Sequence, residues 1–113
     1  MLKSKIHRAV LTATNLDYEG SIAIDRNLMD AADLLPGEQV HVLNINNGER
    51  LITYVIEAPP GSGTVMLNGA AARLGVKGDL VIILSYCGID EEAARHHSPI
   101  VVRVDSENRP LAK

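Results

Sequence analysis

Leu35-Pro36-Gly37-Glu38-Gln39-Val40-His41-Val42-Leu43 and Gly75-Val76-Lys77-Gly78-Asp79-Leu80-Val81-Ile82-Ile83 repeat one pattern. In each, a short helix ends, a glycine followed by an acid makes a turn, and an aliphatic strand begins. A duplication of this kind fits a small barrel with pseudo-two-fold symmetry. The first strand, Val40 to Ile45, faces a second, Leu51 to Ile56, around Asn46-Asn47-Gly48, whose Asn-Gly step suits a tight hairpin. Alternation along that second strand puts Tyr54 on one face with Ile52 and Ile56, and Thr53 on the other with Leu51 and Val55. Both faces are largely apolar, as in a closed barrel whose outside is also covered.

The flanking sequence extends the β reading. Lys5 to Thr14 is rich in strand formers and runs into a turn at Asn15-Leu16-Asp17; Ser21 to Ile24 is a second extended piece. Asp25 can cap a helix whose apolar positions Leu28, Ala31, Ala32 and Leu35 follow helical spacing until Pro36-Gly37 stops it. Pro59-Pro60-Gly61-Ser62-Gly63 calls for a surface loop. Strand Thr64 to Leu67, a short helix from about Gly69 to Leu74, strand Leu80 to Ser85, a polar segment through His97 and strand Ile100 to Val104 complete the chain. The residues by themselves give a mainly β domain with short helices.

At 113 residues the chain is one domain, small enough that association helps to bury its remaining apolar surface. With 46% apolar residues, no Phe, no Trp and three Tyr, the interior must be packed from Val, Ile, Leu and Ala, which favour strands. A formal charge of -3 without a Lys/Arg cluster argues against nucleic acid as the main partner. The single Cys87 allows no internal disulfide, the amino terminus carries no signal-like apolar run, and Leu80 to Leu84 is too short to span a bilayer. A cytoplasmic protein without membrane contact is expected.

The chemistry concentrates at Tyr18-Glu19-Gly20-Ser21. A serine hydroxyl beside a glycine carbonyl reads as a site where the chain cuts itself, because glycine tolerates backbone angles that expose its carbonyl and Ser Oγ can attack it to form an ester. Elimination would leave Ser21 as a pyruvoyl group. Taken alone, the same four residues also suit an ordinary turn.

Lys5-Ile6-His7-Arg8, Tyr18-Glu19-Gly20-Ser21-Ile22-Ala23-Ile24-Asp25, Asn47-Gly48-Glu49-Arg50 with Thr53-Tyr54, Asn68-Gly69-Ala70-Ala71-Ala72 and Gly78-Asp79-Leu80-Val81-Ile82-Ile83 together resemble the pyruvoyl-dependent aspartate 1-decarboxylases of bacterial pantothenate synthesis. The likeness runs in order through most of the chain and fades beyond Cys87. Ile22 stands where a small residue or cysteine is common in that family, with no chemistry lost.

The resemblance implies a six-stranded double-psi β-barrel with short helices, one domain over 1-113, cut into chains 1-20 and 21-113. It further implies a homotetramer with active sites between neighbours, a possible accessory maturation protein, and conversion of L-aspartate to β-alanine and CO2. The pyruvoyl group from Ser21 would form a Schiff base with substrate, with no pyridoxal phosphate.

Site roles follow from the same resemblance. Tyr54 would donate the proton that quenches the carbanion. Thr53 would support processing and border the substrate, as Gly69, Ala70 and Ala71 would. Arg50, which by itself reads as a solvated hairpin charge, would hold a substrate carboxylate in a bidentate fork, helped by Lys5. The β-carboxylate is preferred, because a cation on the α-carboxylate would stabilise the group that must leave. Asn68 either caps the following helix or bonds the pyruvoyl carbonyl, and His7 has a supporting part in processing.

His41, Cys87 and the pair His96-His97 lack metal-ligand spacing, so no metal is expected. Asp90-Glu91-Glu92 reads as a helix start or solvated loop. The competing reading is a noncatalytic double-psi barrel that binds a peptide, a partner protein or DNA.

Overall fold

The computed structural model describes residues 1–112. Eight strands form one mixed sheet in the order β2-β6-β3-β5-β4-β7-β1-β8. They are β1 (Leu2–Val10), β2 (Ala13–Asn15), β3 (Ser21–Asp25), β4 (Gln39–Asn44), β5 (Arg50–Ala58), β6 (Val65–Asn68), β7 (Leu80–Tyr86) and β8 (Ile100–Arg103). Helices α1 (Arg26–Ala31) and α2 (Glu91–Ala94) and a 3₁₀ helix at Gly69–Leu74 connect them.

The strand expected over Lys5 to Thr14 is broken at Leu11-Thr12. There Leu11 donates its N–H to Asp79 O (2.8 Å) and Thr12 donates to Val65 O (2.8 Å), so the chain changes partners from β7 to β6. Taken as one path, β1 and β2 close a ring with β6, β3, β5, β4 and β7, and this is the six-stranded double-psi β-barrel. β8 lies outside the ring, paired in parallel with β1.

The repeat seen in the sequence is a structural two-fold. Gly37 (φ 86°) and Gly78 (φ 96°) both take the left-handed conformation that favours glycine. Glu38 Oε1 accepts from Leu35 N–H at 3.1 Å, and Asp79 Oδ2 accepts from Val76 N–H at 3.1 Å. Each turn grips the partner half in the same way. Gly37 donates to Val55 O and Val55 to Glu38 O, just as Gly78 donates to Leu11 O and Leu11 to Asp79 O. The side chains reciprocate too: Asn44 at the end of β4 donates to Asp79 (2.9 Å), and Ser85 near the end of β7 bonds Glu38. Strands β4 and β7 pair antiparallel with Val42 opposite Ile83, which puts the pseudo-axis between those two residues.

Ile6, Leu11, Ile22, Ile24, Leu28, Val40, Val42, Val55, Val65 and Val81 are fully buried and fill the barrel. Burying a side chain of this size contributes about 1.5–3 kcal/mol. Asp25 caps α1 as expected, accepting from Asn27 N–H at 2.8 Å, but the helix is shorter than its apolar spacing suggested. Asp33 turns left-handed (φ 55°) and Leu34 N–H reaches back to Met29 O, closing the helix before Pro36. Leu34 and Met29 therefore enter the core, while Ala31 and Leu35 stay exposed.

The Asn46-Asn47-Gly48 hairpin is wider than a two-residue turn, because Asn44 Oδ1 accepts from both Asn46 and Asn47 N–H and Gly48 donates to Asn44 O. Asp90 caps α2 through Ala93 N–H, so the acidic run is a helix start. Among the described residues no helix is long and apolar enough to cross a membrane.

Candidate active site

The segment 16–20 between β2 and β3 is exposed, and burial begins abruptly at Ser21, which is 1% exposed as the first residue of β3. The Gly20-Ser21 bond is thus the junction between an accessible loop and the barrel wall. Ser21 lies opposite Asn68 in the antiparallel β3–β6 ladder. That register brings Asn68 Nδ2 to Ser21 Oγ, where it donates a hydrogen bond of 3.0 Å. The serine's own proton has only Glu19 O at 3.5 Å, too long to hold it firmly. Asn68 occupies the cap position of the 3₁₀ helix but makes no side-chain cap bond, so of its two expected roles the cap is excluded. Its Oδ1 is buried without a partner.

Gly69 follows with φ 61° and is buried. Ala70, Ala71, Leu74, Gly20 and Leu51–Tyr54 of β5 line a cavity of about 410 Å³. Its walls are apolar apart from the Thr53 and Tyr54 hydroxyls, and no charged side chain lines it. Tyr54 is 41% exposed, and Thr53 shares its strand face with Leu51 and Val55, as alternation required. Leu51, Ile52 and Leu74 were not singled out from the sequence; only the strand and helix periodicities pointed to them.

Ser21, Asn68, Gly69, Ala70, Ala71, Thr53 and Tyr54 therefore converge at one end of the barrel, whereas Lys5, His7 and Arg50 do not line this cavity. Lys5 and His7 flank the buried Ile6 and so project from the outer face of β1. The outer face of β5 carries Arg50, Ile52 and Tyr54. Strand register joins the two through one row: Val101, Lys5, Leu84, His41 and Ile52. Burial lowers the pKa of His7, and Lys5, Arg103 and Arg8 push the same way, so the imidazole is neutral near pH 7. Its Nδ1 is buried without a partner. Among the described residues no three His, Cys, Asp or Glu side chains are grouped to hold a metal ion.

Comparison with known proteins identifies the family. The chain is 67% identical over 109 residues to an aspartate 1-decarboxylase of Dehalococcoides mccartyi, covering 96% of this chain and 88% of that protein. It is 58% identical over 111 residues to that of Thermoanaerobacter pseudethanolicus (98% and 95% covered) and 59% identical over 108 residues to that of Caulobacter vibrioides (96% and 92% covered). The family model described as aspartate decarboxylase matches residues 1–111, and the chain belongs to that family.

Proposed function

We propose that the protein decarboxylates L-aspartate to β-alanine and CO2 for pantothenate synthesis, after cutting itself between Gly20 and Ser21. The activity rests on the family match over almost the whole chain. The self-cleavage rests on one structural observation, the buried Ser21 hydroxyl held by Asn68 at the edge of an exposed glycine loop.

In the processing reaction Ser21 Oγ attacks the Gly20 carbonyl carbon and the C–N bond breaks, giving an ester and a free amine on Ser21. Loss of the Ser21 Cα proton then expels Gly20 as a carboxylate that keeps the former hydroxyl oxygen. Water replaces the nitrogen, ammonia leaves, and residues 21–113 begin with a pyruvoyl group. The residues present fit that group. Asn68 Nδ2 is a donor beside its position, and small residues on the 3₁₀ helix leave room for it.

The pyruvoyl group, where Asn68 would hold it, would supply a carbonyl to receive the substrate amine and an acceptor for the electron pair left by CO2. The chain's side chains do the rest. Leu51 and Leu74 give the cavity an apolar wall, Ala70 and Ala71 allow close approach, and Thr53 borders the substrate after assisting cleavage. The Tyr54 phenol delivers the proton to Cα, and its partial exposure lets solvent restore it.

A cavity without a cation cannot by itself grip a dicarboxylate. The outer faces of β1 and β5 carry Lys5 and Arg50 beside Ile52 (60% exposed) and Tyr86 (50% exposed), an apolar surface suited to a second copy of the chain. A neighbour laid on this face would bring Arg50 and Lys5 toward another chain's Ser21, as in a homotetramer of processed protomers. An accessory maturation protein and a cytoplasmic location belong to the same reading. Ser21→Ala should leave one intact chain that releases no CO2 from aspartate; full activity in the uncut variant would overturn the mechanism.

A further inference from the structure

We infer that Gly69 is a positioning residue for self-cleavage, whose missing side chain sets the seat of the scissile loop. This rests on the cleavage reading above and adds to it. A Cβ built at Gly69 would lie 2.7 Å from both Cα and N of Gly20 and 2.9 Å from Tyr18 O, all backbone atoms of the loop to be cut. Contacts under 3.0 Å force something to move. Asn68 is held by the β3–β6 ladder and Gly69, next to it, is buried at the start of the 3₁₀ helix, whereas Tyr18 and Gly20 are exposed, so the loop is the part that yields.

Ser21 and Asn68 pair across that ladder and stay in place. Displacing Gly20 therefore changes the approach of Ser21 Oγ to the Gly20 carbonyl carbon while leaving the Asn68 bond to the hydroxyl in place. Glycine also satisfies the left-handed backbone at this position (φ 61°). Strain and collision can be separated, because asparagine tolerates that conformation yet carries the same Cβ.

A matched control exists elsewhere. Gly63 is also left-handed (φ 70°), and its Cβ would lie 2.7 Å from Glu107 O, away from the scissile bond. The experiment follows cleavage of the purified full-length chain by intact mass, with thermal unfolding, for the parent, Gly69→Ala, Gly69→Asn and Gly63→Ala.

The parent and Gly63→Ala should be cut at similar rates. Both Gly69 variants should fold but be cut about 10²-fold more slowly, the effect of misplacing reacting groups by roughly an ångström. Parent-like cleavage in either Gly69 variant would overturn the inference while leaving the self-cleavage reading intact. So would equal slowing in Gly63→Ala, or loss of the folded barrel in both Gly69 variants, since the loop would then not be what yields. A parent that is never cut would overturn both.

Discussion

Tyr54 shows how much a single strand position can carry. It shares the outer face of β5 with Ile52, yet it also lines the cavity into which Gly20 opens, so packing and proton delivery are both open to it. Tyr54→Phe keeps the ring and removes the proton. Self-cleavage should proceed normally, while steady-state release of CO2 from aspartate should fall by about 10² to 10⁴, the range for losing a general acid. Near-normal turnover would assign the proton to water or another group. Ser21 beside Gly20 stood out from its own chemistry, whereas Thr53, in the middle of β5, and the Asn68–Ala71 run drew notice only through the family resemblance, since by local pattern they are a strand residue and a helix start. The unpartnered Asn68 Oδ1 and the contact between Gly69 and the scissile loop were not legible, because both arise from β3–β6 register, which no local pattern specifies.

The paired turns ahead of β4 and β7 are the elements on which the barrel is built, and the Gly-acid motif announced them. What it could not announce is that the acids bond across the two halves, Glu38 to Ser85 and Asp79 to Asn44, since those contacts need the closed ring. Helix α1 was overextended in the sequence reading for a similar reason: Leu34 and Leu35 are equally apolar, and only the left-handed Asp33 decides which one is buried. Burial pushes the Glu38 carboxyl up. The Ser85 hydroxyl, the Lys3 ammonium and Leu35 N–H together outweigh this and hold it below the ordinary value of 4.5. A carboxylate depressed in the fold stabilises it above the unfolded pKa, and that stability is lost as pH falls through the folded pKa. Thermal midpoints measured on descending pH should therefore drop below about pH 4.5, and Glu38→Gln should flatten this acid limb. An unchanged acid limb would remove Glu38 as a source of pH-dependent stability.

At the scale of the whole molecule, repeat and composition made a mainly β domain with two similar halves legible and the family resemblance supplied the double-psi barrel, but the gap between the Ser21 cavity and the outer-face cations was not legible. Arg50 sits beside a hairpin in sequence and on a shared face with Lys5 only after the sheet is assembled. Arg50→Ala should weaken aspartate binding by about 1.5–3 kcal/mol through loss of a charge-assisted contact. If Arg50 serves a neighbouring chain, co-assembly of Ser21→Ala chains with Arg50→Ala chains should restore part of the turnover that neither has alone. No restoration would place both groups in one protomer. The most direct test of the central claim is the intact mass of the purified protein while it turns over aspartate. The account predicts two chains, residues 1–20 and a pyruvoyl-headed 21–113; a single uncut chain of 12.2 kDa in an active preparation would contradict it.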